Sequence, residues 1–125
     1  MTAVVDTSVI IDVLRGVVAA KNLLVAEMRA ERLHASEITR LEVLAGMRPK
    51  EEQATRLLLG TLVWHSIDES TAERAGALGR QWLPSHGGID GADLAIAATA
   101  DVLSARLLTR NVRHFPMFDG LVSPY

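Results

Sequence analysis

The sequence contains no cysteine, which excludes disulfides, zinc–thiolate centres and a thiol nucleophile together. A reducing cytoplasm is the expected compartment. Aromatic residues make up only 4% of the 125, too few for a stripe on which nucleic-acid bases could stack. Trp64 and Trp82 read instead as core or interface anchors. A dominant charge is also missing, since the formal net charge of −2 is not the strong positive balance of a protein that coats nucleic acid. The longest uncharged apolar run, residues 94–100, falls far short of the ~20 residues of a membrane span. The opening Met1-Thr2-Ala3-Val4-Val5-Asp6 puts an acid where a secretory signal would continue apolar, so no membrane partner is expected. Four dispersed prolines and the lack of repeats or linkers fit one domain over residues 1–125.

What is present is a globular composition, with 49% hydrophobic and 22% charged residues. The charge is unevenly placed. Residues 51–105 carry three basic and eight acidic side chains, whereas residues 106–125 carry Arg106, Arg110 and Arg113 against Asp119 alone. The tail is a local positive patch, and a bound divalent cation would offset part of the acidic count, so a polyanionic substrate stays admissible.

Strand and helix signals alternate along the chain. Ala3-Val4-Val5 predicts a buried strand ending at Asp6, followed by a helix to Arg15-Gly16. A second helix is expected over 17–32, then a strand at Leu33-His34-Ala35. Ser36 is the expected cap of a third helix whose Ile38, Leu41 and Ala45 share a face until Gly46. A helix over 51–59, a strand at 62–65 and a helix over 70–83 follow, the last stopped by Pro84. An Ala-rich helix over 90–103 is apolar on most faces and therefore buried. Leu107-Leu108-Thr109 predicts a strand running into the basic turn 110–114, and Leu121-Val122 a last edge strand. The fold class is α/β in three layers, with a central parallel sheet of four to five strands flanked by helices. In such sheets polar residues at the carboxyl ends of strands meet in a crevice.

Three acids stand out against that frame. Asp6 follows the first strand, Glu42 lies beside the buried stripe of its helix, and Asp93 begins the most apolar helix. A desolvated carboxylate needs a cation or hydrogen-bond donors. Three that converge repel each other unless a cation joins them. Each also has a plainer reading, which for Glu42 is a side chain that edges out to solvent. Asp6 is placed to cap the next helix, and Asp90 and Asp93 are spaced as a capping box, with Asp90 the better cap and Asp93 the better site residue. Oxygen ligands without cysteine or paired histidines select Mg²⁺, with Mn²⁺ able to substitute, over zinc. His34, His65 and His86 read as packing or surface residues, and His114 as part of the basic turn. Ser8 and Thr109 are placed to hydrogen-bond a ligating carboxylate. Arg110 and Arg113 are candidates to hold phosphates beside the metal, with a solvated basic turn as the plainer reading. Arg15 and Asp12, three apart, read as a surface ion pair.

The chain resembles PIN-domain ribonucleases, and more closely the VapC toxins of bacterial toxin–antitoxin pairs. The resemblance rests on Val4-Val5-Asp6-Thr7-Ser8, Thr39-Arg40-Leu41-Glu42-Val43, Ala92-Asp93-Leu94-Ala95-Ile96-Ala97-Ala98-Thr99-Ala100 and Leu108-Thr109-Arg110-Asn111-Val112-Arg113-His114-Phe115, in this order. It implies that Asp6, Glu42 and Asp93 are the acidic metal-binding and catalytic positions, with Asp90 and Asn111 as further candidate ligands. Asn111 is a departure, because many relatives carry a fourth acid there and an amide brings no charge. The resemblance also implies metal-assisted endonucleolytic hydrolysis of RNA of the translation machinery, a homodimer, and a VapB-like antitoxin as partner.

Two other hydrolytic or signalling readings of such a sheet are disfavoured. A haloacid-dehalogenase phosphatase needs Asp-x-Asp after the first strand, where this chain has Ser8. A receiver domain needs a late lysine, and the last here is Lys50. The alternative that remains is a PIN-like scaffold that binds RNA or a partner without cutting, for which Asn111 is the sequence support.

Overall fold

The computed structural model describes residues Met1–Tyr125. Four parallel strands form one sheet in the order β3-β2-β1-β4: β1 is Ala3–Val5, β2 His34–Ser36, β3 Val63–His65 and β4 Arg106–Leu108. Six helices connect them: α1 (Thr7–Leu14), α2 (Val18–Met28), α3 (Glu37–Ala45), α4 (Glu52–Leu59), α5 (Glu69–Trp82) and α6 (Gly91–Val102). The chain steps outward from β1 through β2 to β3, then crosses back to lay β4 on the other side of β1. β1 is therefore central, and strand order reverses around it, which opens a crevice at the carboxyl ends of the strands.

Successive residues of β1 point to opposite faces. Val5 joins a core with Val9 and Ile10 of α1, Leu24 of α2, Val43 of α3 and Leu59 of α4. Val4 joins the other, with Leu78 of α5, Ile96, Ala97, Ala98 and Ala100 of α6, and Phe115. α3 straddles the two, since its Ile38 packs against the second core. Each fully buried aliphatic side chain contributes roughly 1.5–3 kcal/mol, so this double-sided packing holds the three layers. The small residues of α6 let it lie close to the sheet. Gly79 of α5 serves the same end, because a Cβ there would stand 3.1 Å from Leu94 Cδ1 of α6.

Polar residues at the strand exits start the helices. Asp6 Oδ2 accepts from the Ser8 backbone N–H at 3.4 Å, and Ser36 Oγ accepts from Ile38 N–H at 3.2 Å. Asp68 Oδ1 accepts from Thr71 N–H at 2.9 Å at the start of α5.

Several expectations need correction. Leu121 and Val122 form no edge strand, so the sheet has four strands, the lower of the four to five expected. The segment crosses instead toward α1, where the Tyr125 hydroxyl reaches Asp12. Leu41 is 60% exposed, and the buried residues of α3 are Thr39 and Val43, four apart on the side of the helix opposite Leu41. α2 ends at Met28 rather than at 32. Arg15 pairs not with Asp12 but with Glu51, Nη1 to Oε2 at 2.5 Å.

Candidate active site

Asp6 is 3% exposed, at the turn from β1 into α1. Its Oδ2 accepts from the Ser8 hydroxyl at 2.6 Å and from the Thr109 hydroxyl, just beyond β4, at 2.8 Å. The Thr109 hydroxyl oxygen accepts in turn from the Asn111 N–H at 2.9 Å. Ser8 and Thr109 thus fix the Asp6 carboxylate from two strands' ends, while Asp6 also caps α1. The two roles suggested by the sequence coexist.

Glu42 is half-buried on α3 and its Oε1 accepts from the Thr7 hydroxyl at 2.6 Å. Thr7 Oγ1 also lies 3.0 Å from the Thr39 hydroxyl. A hydroxyl has one proton to give, and a charged acceptor makes the stronger bond, so that proton belongs to Glu42.

Asp90 and Asp93 form a complete capping box on α6. Asp90 Oδ1 accepts from Asp93 N–H at 2.9 Å, and Asp93 Oδ2 accepts from Asp90 N–H at 3.1 Å. Asp90 is the cap of α6, as expected from the sequence, and Asp93 both closes the box from the N3 position and lines the cleft described below. Asp93 Oδ2 also stands 3.2 Å from His114 Nδ1. Burial, reinforced by the Asp90 charge and opposed by the Asp90 N–H and by His114, raises the Asp93 carboxyl to about 6.

These residues line one cleft of about 310 Å³ bounded by Asp6, Thr7, Ser8, Ile11, Glu42, Asp90, Asp93, Arg110, Asn111 and His114. Thr109 lies buried behind it, bonded to Asp6. Arg113 lies outside, in an adjoining pocket with Arg110, Asn111, Val112, His114 and Ser123. As placed, no three acidic or histidine side chains stand close enough to enclose one ion. The donor set nevertheless fits a hard cation. Asp6, Glu42 and Asp93 each commit one oxygen to protein donors, and no donor reaches the other oxygen of any of them. Four carboxylates on one cleft with this spare capacity repel each other and favour positive charge between them.

A family profile described as "PIN domain" matches residues 3–120. The chain belongs to the PIN-domain family. Among curated PIN-domain relatives, it is similar to Ribonuclease VapC19 of Mycobacterium tuberculosis, 47% identical over 123 residues, covering 97% of this chain and 98% of the relative. Ribonuclease VapC10 of the same organism is 41% identical over 121 residues, covering 97% and 91%. Among solved structures, a toxin–antitoxin complex from Klebsiella pneumoniae superimposes with a TM-score of 0.82 at 33% identity, covering 99% of this chain and 98% of that one. No helix of this PIN domain is long and apolar enough to cross a membrane.

Sequence reasoning missed Thr7 and His114. Thr7 sits inside the Asp6-Thr7-Ser8 run, and its place at the first turn of α1 was the available signal. His114 carried no signal, because only the 3-10 turn Val112–His114 swings it from the basic segment to Asp93.

Proposed function

We propose that this VapC-type PIN domain is a divalent-cation-dependent endoribonuclease, with Asp6, Glu42 and Asp93 as its metal-binding catalytic residues and Mg²⁺, or Mn²⁺ in its place, as the cation. The observation that carries the reading is the meeting of these acids, with Asp90, on one cleft beside Arg110. When bound, the cation supplies activation of water and Lewis-acid stabilisation of charge on the scissile phosphodiester. Ser8 and Thr109 hold the Asp6 carboxylate in one rotamer, and Thr7 does the same for Glu42. Arg110 at the cleft mouth and Arg113 in the adjoining pocket offer forked donors to RNA phosphates. Asn111 and Asp90 complete the rim as further oxygen donors. The biological role that accompanies this chemistry is that of a cytoplasmic, homodimeric toxin that cleaves RNA of the translation machinery and is restrained by a VapB-like antitoxin.

A labelled RNA incubated with the purified chain and Mg²⁺, Mn²⁺ or EDTA tests the reading. Internal cleavage with either cation, abolished by EDTA and by Asp6→Asn or Asp93→Asn, is expected. Cleavage that persists in EDTA and in both variants would sink it. RNA binding without cutting under any cation would favour the scaffold alternative.

A further inference from the structure

Ser8 and Asp12 lie four residues apart on α1 and so share a face. Both are bonded to Arg110. Ser8 Oγ accepts the Arg110 backbone N–H at 3.2 Å, and Asp12 Oδ2 stands 3.0 Å from Arg110 Nε. Asp12 is buried, where an unpartnered carboxylate is strongly disfavoured, yet its Oδ2 has a second donor in the Tyr125 hydroxyl at 2.5 Å. Burial first, and Asp12 second, raise the Tyr125 hydroxyl above its ordinary range, so it stays a donor. The Tyr125 ring packs against the first core.

Arg110 thus spends Nε on Asp12 and keeps its two terminal amino groups. Its side chain is 55% exposed, and it lines both the acidic cleft and the adjoining pocket. A guanidinium gripped at Nε presents a ready fork to a phosphate. Untethered, the same cation would be drawn onto the carboxylates of the cleft and would lose rotamer freedom on meeting RNA.

We propose that Asp12, steadied by Tyr125, is a positioning residue that holds Arg110 as a phosphate-gripping cation at the mouth of the acidic cleft. The inference rests on the ribonuclease reading above.

The test is binding of a fluorescent single-stranded RNA oligonucleotide in EDTA, followed by anisotropy across a salt series, with thermal melts of every variant. Arg110→Gln is expected to weaken binding and to lower the salt slope by about one phosphate contact. Asp12→Asn removes a negative charge, so charge alone would tighten RNA binding. Positioning makes the opposite demand, with binding weakened about three- to tenfold and the salt slope reduced as in Arg110→Gln. Tyr125→Phe leaves net charge unchanged and is expected to weaken binding about twofold, in the same direction. Asp12→Asn combined with Arg110→Gln should bind no more weakly than Arg110→Gln alone.

Unchanged or tighter binding by Asp12→Asn, or additive losses in the double variant, would overturn the proposal. If Asp12→Asn does not fold, Tyr125→Phe decides: weaker binding supports the proposal and wild-type binding overturns it. A wild type that shows this pattern but never cleaves RNA defeats the ribonuclease reading and leaves the positioning of Arg110 standing. A wild type that binds no RNA overturns both.

Discussion

The Thr7 hydroxyl donates to Glu42 Oε1 at 2.6 Å, joining the first turn of α1 to a carboxylate 35 residues away. Thr7→Val keeps the shape and removes the donor, leaving a half-buried charge without its partner. The expected cost is about 1–2 kcal/mol, read from urea unfolding without metal. An unchanged unfolding midpoint would mean that this bond adds nothing to the fold.

Asp6→Asn and Asp93→Asn each remove one charge from a cleft of four carboxylates. Ribonuclease activity is expected to fall by more than about a hundredfold, or about 3 kcal/mol of barrier. The rise in melting temperature on adding Mg²⁺ should shrink in both, because a cation stabilises the fold only through sites it occupies. Without metal neither variant should melt much lower than wild type, since relief of repulsion offsets the altered hydrogen bonds. An undiminished Mg²⁺ shift in either would remove that residue from the ligand set.

Asp93 sets a pH dependence of definite sign. Its folded value of about 6 lies above its ordinary 3.8, with burial the leading cause. Between those values the unfolded chain loses its proton first, so without metal this group makes stability fall as pH rises. A cation competes with that proton. The Mg²⁺-induced melting shift should therefore grow from about pH 5 to about pH 7 and then level off. A shift that is flat across this window would rule out Asp93 as the competing ligand.

His34 Nδ1 and His65 Nε2 stand 2.7 Å apart on neighbouring strands β2 and β3. Both cannot carry a proton on the facing nitrogens. Burial, and then the His65 imidazole, hold His34 below its ordinary 6.5. The neutral form is the one favoured by the fold, so the stability it contributes is complete above 6.5 and is lost as pH falls through the lower folded value. Urea midpoints of wild type should drop on acidification more than those of His34→Gln. Parallel pH profiles would refute a role for the pair.

The opening of the chain was legible because Ala3, Val4 and Val5 can only pack inward and Asp6 can only stop the strand. α6 was legible because an unbroken apolar run that includes Ala95, Ile96, Ala97 and Ala98 has no solvent face. α3 was misread at Leu41, since the buried pair Thr39 and Val43 includes a hydroxyl that hydrophobic spacing does not count. The tail was misread for another reason. Leu121 and Val122 have strand-like composition, but their path is set by the Tyr125 hydroxyl reaching Asp12, a contact between residues too distant in sequence for any local pattern to show. Arg110 with Asp12, and His114 with Asp93, were hidden by the same distance.

β4 is the last strand to be synthesised, yet it borders the central one. A chain cut short before Arg106 lacks both the outer neighbour of β1 and the Thr109 hydroxyl that steadies Asp6, although every acid of the cleft is already present. A growing polypeptide therefore carries all four acids of the cleft before residues 106–125 supply what steadies Asp6, and on the proposed reading damage confined to that last segment is enough to disarm it.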